Sequence, residues 1–135
     1  MIKIKDYYTY PGPRYCNQGE ASGEEFYHRI LNNAFANAYK DSEKLVVNLD
    51  DTAGYLSSFL DEAFGNLVFD FSLEIVQPRI KIVTTQEPDW EAMIENEVFQ
   101  NWEKRRLDSN SPKKTIDHPE WFRFENRQLI KKVWI

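Results

Sequence analysis

Apolar and polar residues alternate at the start of this chain, with Ile2 and Ile4 set against Lys3 and Lys5. Two-residue alternation is the pattern of a half-buried strand, so a strand is expected over 1–8. Residues 10–19 are punctuated by Pro11, Gly12 and Pro13 and read as a loop. Ser22-Gly-Glu-Glu25 has the form of a capping box and should open a helix running to about Lys40. In that helix Phe26, Ile30, Ala34 and Ala38 form one stripe, and Tyr27, Leu31 and Phe35 the next. Leu45 to Leu49 is an almost unbroken apolar run of strand length, which suggests burial on both faces. Asp50, Asp51 and Gly54 end it in a loop.

The second half of the chain continues the alternation of strands and helices. Phe59, Leu60, Ala63, Phe64 and Leu67 lie at helical spacing behind two serines, and Ser57 or Ser58 is expected to cap that helix. Its end falls between Gly65 and Phe69. Residues 73–76 and 79–84 are strand-like pieces separated by Gln77-Pro78, where the proline demands an edge, a bulge or a turn. Pro88 suits the first turn of a long helix carrying Trp90, Ile94, Val98 and Trp102 at four-residue spacing and ending near Leu107. Asp108 to Pro112 reads as a turn or linker. Beyond it, Trp121, Phe122, Phe124 and Trp134 are interleaved with Arg123, Arg127, Lys131 and Lys132. That is too aromatic for a disordered tail, and it fits either a hairpin around Glu125-Asn126 or a short helix. The expected organisation is a domain over 1–107 and an aromatic, basic extension over 108–135.

Charge and composition narrow the chemistry. With 135 residues and a formal net charge of −5, the chain is long enough for one core and lacks the basic footprint of a general nucleic-acid binder. The single cysteine, Cys16, rules out an intramolecular disulfide and any multi-cysteine metal site. Lys3, Lys5 and Asp6 interrupt any leader-like apolar start, and no run approaches the roughly 20 apolar residues of a membrane span. A cytoplasmic location without membrane attachment is the resulting expectation.

Four groups of residues carry candidate chemistry. A serine at a helix start lies at the positive end of the helix dipole, where a phosphate is also favoured, so Ser57 and Ser58 read as either an ordinary cap or a regulatory phosphosite. Asp61 and Glu62 occupy the same first turn and would repel that phosphate. Asp50 and Asp51 end a hydrophobic strand, as metal-dependent phosphoryl-transfer enzymes and receiver domains arrange their acids, and magnesium favours such oxygen ligands. No downstream lysine completes that pattern, and Thr84 and Thr85 are its only hydroxyl candidates. Arg14, in a Pro/Gly-rich loop, could meet an anion or pair with Glu20 or Glu24. His28 and His118 belong to no metal pattern readable in the sequence, and Cys16 with His28 is the one conceivable dyad.

Three pieces of sequence, in this order, resemble a known family: Pro11-Gly12-Pro13-Arg14, then Gly19-Glu20-Ala21-Ser22-Gly23-Glu24-Glu25-Phe26, then Ser57-Ser58-Phe59-Leu60-Asp61-Glu62-Ala63-Phe64-Gly65. They resemble the STAS-like family of uncharacterised prokaryotic and phage proteins, over roughly residues 1–105. More distantly, the strand, loop and serine-led helix are similar to the centre of STAS-domain anti-sigma-factor antagonists. In those proteins a kinase phosphorylates the second serine of an Asp-Ser-Ser-Gly turn. Ser58 aligns with that serine, while Leu56 stands for the aspartate and Phe59 for the glycine.

The resemblance implies an α/β fold, a small mixed sheet covered by helices. It also implies a non-enzymatic regulatory module without a cofactor, binding a protein partner such as a kinase-like regulator. Tyr55, Ser57, Ser58, Asp61 and Glu62, with Arg14 from the first loop, would carry the contact. A homodimer formed through a tail strand is a further expectation. The competing class is a phosphoryl-transfer enzyme or nucleotide sensor built on Asp50 and Asp51.

Overall fold

The computed structural model describes residues 1–134. Of the expected extension 108–135, Ile135 lies outside the described residues. In chain order the elements are β1 (Ile2–Lys3), α1 (residues 23–40), β2 (Leu45–Asn48), α2 (Ser57–Phe71), the single turn α3 (Leu73–Val76), β3 (Ile80–Val83), α4 (residues 89–107), β4 (Trp121–Glu125) and β5 (Gln128–Lys132). Both α1 and α4 widen into a π-helical stretch midway, at Tyr27–Leu31 and Ile94–Val98.

β1, β2 and β3 form one sheet in the order β1-β2-β3, with Val47 opposite both Ile2 and Ile82. All three strands are parallel, so the α/β class expected from the sequence holds with a purely parallel sheet. The helices α1 and α2 are the crossovers that a parallel pairing requires. The antiparallel pair, β4 with β5, is a separate hairpin whose turn residues Asn126 and Arg127 both have positive φ, at 52° and 62°. Left-handed backbone at both positions is the turn geometry that suits a twisted two-residue hairpin. Of the two readings open for the tail, the hairpin is the one formed.

Several local expectations are corrected. The first strand is only Ile2–Lys3, because Ile4–Asp6 turn into a 3-10 helix that buries Ile4. In β2, Leu45 and Val47 are buried but Val46 and Asn48 are half-exposed, so one face is covered more fully than the other. Residues 73–76 form a helical turn, not a strand: Ser72, at φ 78°, breaks the chain after α2 and the helix resumes. A four-residue apolar run cannot distinguish those outcomes by periodicity. Pro78 sits in the 3-10 turn that follows, and the strand starts after it at Ile80.

The core gathers around α2. Every residue of that helix from Phe59 to Phe71 except Asp61 is buried, as expected for a helix wrapped on all sides. Phe26, Tyr27, Leu31 and Phe35 of α1 pack on it, Phe26 stacking on Phe59 with ring centroids 5.8 Å apart. On α1 the Tyr27 stripe is the deeper one; Ile30, Ala34 and Ala38 are only partly buried. From α4, Ile94, Val98, Phe99 and Trp102 close the opposite side. The tail is part of this packing: Phe122 joins the core, and Asn32 of α1 bonds the Phe122 backbone twice, at 2.8 and 2.9 Å.

Ser22 caps α1 as expected, accepting from the Glu25 amide at 3.0 Å. The reciprocal half of the box is missing, because the Glu25 carboxylate faces Arg29 at 3.6 Å. Ser22→Ala should therefore lower stability by about 0.5–2 kcal/mol, the ordinary value of one cap. Urea unfolding measures it, and an unchanged midpoint would remove the cap from the account.

Candidate functional site

The loop over 11–22 is laced to the start of α1. Gly12 donates to the Ala21 carbonyl at 2.7 Å, Gly23 to Pro13 at 2.9 Å and Glu24 to Arg14 at 3.0 Å. A Cβ on Gly12 would stand 2.7 Å from the Glu20 carbonyl oxygen, so only glycine allows this approach. The lacing aims Arg14 across to α2. Its Nη1 reaches Asp61 Oδ2 at 2.5 Å and Glu62 Oε1 at 3.3 Å. Asp61 also accepts from Trp102 Nε1 at 3.0 Å, and Glu62 from Asn66 at 3.0 Å. Burial lowers the basicity of Arg14, but the Asp61 hydrogen bond more than offsets this and holds it fully protonated. Burial dominates at Glu62 and raises its pKa, against the pull of Asn66 and Arg14.

The expected partners of Arg14, Glu20 and Glu24, are thus replaced by Asp61 and Glu62. Those two residues follow Ser58 by three and four positions, so all three share one face of α2. Ser58 is half-buried and Ser57 exposed. Neither is the cap: Leu56 holds that position with extended backbone, and both serines are the first residues of the helix itself. Asn48, Thr52 and the loop backbone shape the approach, with no side chain capping α2. Tyr55 is half-buried, donates its hydroxyl to the Leu49 carbonyl at 2.7 Å and lies 6.0 Å from the Phe59 ring. Burial pushes its hydroxyl up to about 12.

The two strand-end acids are engaged in loop structure. Asp50 accepts from the Thr85 amide at 2.9 Å, the Thr85 hydroxyl at 2.6 Å and the Gln86 amide at 3.0 Å. The Thr85 hydroxyl is the largest influence lowering its pKa. Asp51 sits at φ 69°, bonds the Gln86 side chain at 2.9 Å and lies 3.7 Å from Lys5. Asp50 and Asp51 thereby tie the end of β2 to the loop after β3. A cleft of about 140 Å³ opens between these loops, lined by Asp50, Tyr55, Gln86 and Trp90 among others.

Two polar constellations were not anticipated from the sequence. On the otherwise apolar α2, Glu62, Asn66 and Asp70 recur every fourth residue and are all buried. That spacing was visible, and a buried polar stripe must find partners. Asp70 takes them from Tyr27 of α1 and from Arg123 of the hairpin, the latter at 2.9 Å. The second constellation joins Glu24 to the tail. Its carboxylate accepts from the Cys16 amide at 2.9 Å, the Thr115 amide at 2.9 Å and the Thr115 hydroxyl at 2.7 Å, and it meets His118 Nε2 at 2.6 Å. Burial resists ionisation of Glu24, but these bonds prevail and hold its pKa at about 2. His28 and His118, ninety positions apart, stack with ring centroids 3.9 Å apart. Burial first, then His118 and Lys114, lowers His28 to about 3. Cys16 therefore neighbours His118 where the sequence offered His28 as its partner.

Residues 22–90 match the family described as "STAS-like domain of unknown function (DUF4325)". The chain belongs to this family. The match opens at the Ser22 cap of α1, contains β2, all of α2 and β3, and closes as α4 begins. Ser57, Ser58, Asp61 and Glu62 of this STAS-like domain lie within it, while Arg14 and the whole tail from Asp108 lie outside. No curated protein and no solved structure matches the chain. Among the described residues, no helix is long and apolar enough to cross a membrane.

Proposed function

We propose that this STAS-like domain is a regulatory module that docks a protein partner on the N-terminal turn of α2, with Ser58 as the switch residue. The observation that carries the reading is the Arg14 ion pair. It attaches the 11–22 loop to the helix face shared by Ser58, Asp61 and Glu62. Arg14 neutralises the two acids that would otherwise repel a phosphate on that face. A phosphoserine at position 58 would carry about −1.5 to −2 charges and compete with Asp61 for the same guanidinium. Repositioning Arg14 would then move the loop that displays it. Exposed apolar residues flank this surface: Leu56 is 57% exposed and Tyr10 is 75% exposed. Their loops are joined by the Ala53 amide, which donates to the Thr9 carbonyl at 2.8 Å. A kinase-like regulator is the partner class that the family resemblance favours, and the cytoplasm the compartment.

The test compares wild type, Ser58→Ala and Ser58→Asp as affinity baits in native extract, with each bait first shown to keep its helical signal. One protein should be retained by wild type and Ser58→Ala and lost by about tenfold or more with Ser58→Asp, the effect of about 1.4 kcal/mol or more of like-charge repulsion or displaced ion pair. Equal retention on all three baits, or no retained protein, overturns the reading.

A further inference from the structure

The structure assigns a transition-metal site of the zinc class to Cys16, Glu24 and His118. One donor atom from each lies within 4.8 Å of the other two. The three come from separate parts of the chain: Cys16 from the 3-10 turn after the Arg14 loop, Glu24 from the first turn of α1, His118 from the segment before β4. Thiolate, carboxylate and imidazole are the three ligand types that zinc takes, at about 2.0–2.3 Å, and three protein ligands leave a fourth position open. A tetrahedral ion sets a neighbouring oxygen and nitrogen roughly 3.3 Å apart. The present 2.6 Å approach of Glu24 Oε2 to His118 Nε2 would open by that difference, with the ion in place of the shared proton.

Two further observations point to a cation here. Glu24 is 1% exposed, and among the described residues its only ion-pair partner is His118. Lys114 acts on this buried carboxylate only from beyond ion-pair distance, and buried charges are as a rule either paired or bound to a metal. The would-be ligands are also held from behind. Thr115 donates its amide and hydroxyl to Glu24, the Ser22 hydroxyl contacts Cys16 Sγ at 3.4 Å, and His28 stacks on the His118 ring at an interplanar angle of 11°. Such outer contacts orient metal ligands and set affinity. A bound ion would fasten the tail to the loop that carries Arg14, with coordination energy added to the fold.

The experiment is a titration of the full chain with cobalt(II), then displacement by zinc. One equivalent should produce a thiolate-to-cobalt absorption in the near ultraviolet together with tetrahedral visible bands. Cys16→Ser should abolish the near-ultraviolet absorption, and Cys16 is accessible enough for this change to leave folding intact. His118→Gln should weaken binding by more than Thr115→Val, which should cost about 10- to 100-fold while keeping the bands. Zinc at ten times its Kd should slow alkylation of Cys16 in the wild-type chain about tenfold, by occupancy alone. Absence of the thiolate absorption with cobalt in excess, or alkylation unaffected by zinc, overturns the site. Both results are read without any protein partner, so they stand apart from the test of Ser58.

Discussion

Arg123→Ala is expected to destabilise this chain by about 3–5 kcal/mol, the cost of leaving a buried charge without its partner. Asp70 is 3% exposed in the last turns of α2, and Arg123 Nε reaches it at 2.9 Å from strand β4. Burial raises the Asp70 pKa, with Arg123 pulling in the opposite direction. Tyr27 donates its hydroxyl to the other carboxylate oxygen and accepts from Asn32 at 2.9 Å. Asn32 in turn holds both backbone groups of Phe122. Removing the guanidinium thus strands Asp70 and loosens the strand that carries Arg123. The guanidinium also lies 4.5 Å over the Trp134 ring, and alanine would abolish that cation–π attraction as well. Equilibrium denaturation measures the effect, and the double variant Arg123→Ala/Asp70→Asn decides its cause. If the stranded charge is responsible, neutralising Asp70 should recover a large part of the stability. A single variant within 1 kcal/mol of wild type would show that water, not Arg123, satisfies Asp70.

Gly65→Ala should cost about 3 kcal/mol, at the upper end of overpacking penalties. In an unhindered helix the same change would stabilise by about 0.5–1 kcal/mol, since alanine is the better helix former. Here a Cβ would overlap the Trp102 indole at Cε2 and Nε1. Neither ring nor backbone has room to retreat: Trp102 is 3% exposed, and its Nε1 donates to Asp61 at 3.0 Å. Displacing the indole would also break that bond and disturb the pair between Asp61 and Arg14. Calorimetry should show the midpoint lowered by roughly 10 °C for a domain of this size. Trimming the ring in Gly65→Ala/Trp102→Leu should restore part of the stability, so the two changes should be strongly non-additive. Stability equal to wild type in Gly65→Ala would refute the close helix approach.

The docking of the tail bears on how the STAS-like domain is completed. The family match ends at residue 90, yet the buried Asp70 inside it is satisfied by Arg123 outside it. Likewise Glu24, inside the match, receives Thr115 and His118 from beyond it. In this chain the segment after Asp108 supplies polar partners that the matched region leaves open. Trp121 and Trp134 close the same corner, with Trp134 Nε1 donating to the Trp121 carbonyl at 2.9 Å.

What short-range physics controls is legible along the chain. Period and breakers locate β2, α2, β3 and α4, because an apolar stripe repeats within a few residues, Asp50 ends β2 locally and Pro88 opens α4. Ser22 was identifiable as a cap since its bond reaches only three residues. The serine-led helix was legible, but its cap was not: Leu56, with extended backbone, sits where either serine would have served, and both serines enter the helix. Residues 73–76 form a helical turn and not the expected strand, because both present the same apolar run. Pairings across long separations arise instead from how the elements pack. Arg14 chose Asp61 and Glu62 over the nearer Glu20 and Glu24, since the Gly12 and Gly23 lacing points it at α2. His118 came to Glu24 and His28, and Arg123 to Asp70, because packing the aromatic hairpin on α1 and α2 forces those charges together. A side chain's sequence neighbours limit its backbone, whereas its partners are set by which elements the core brings side by side.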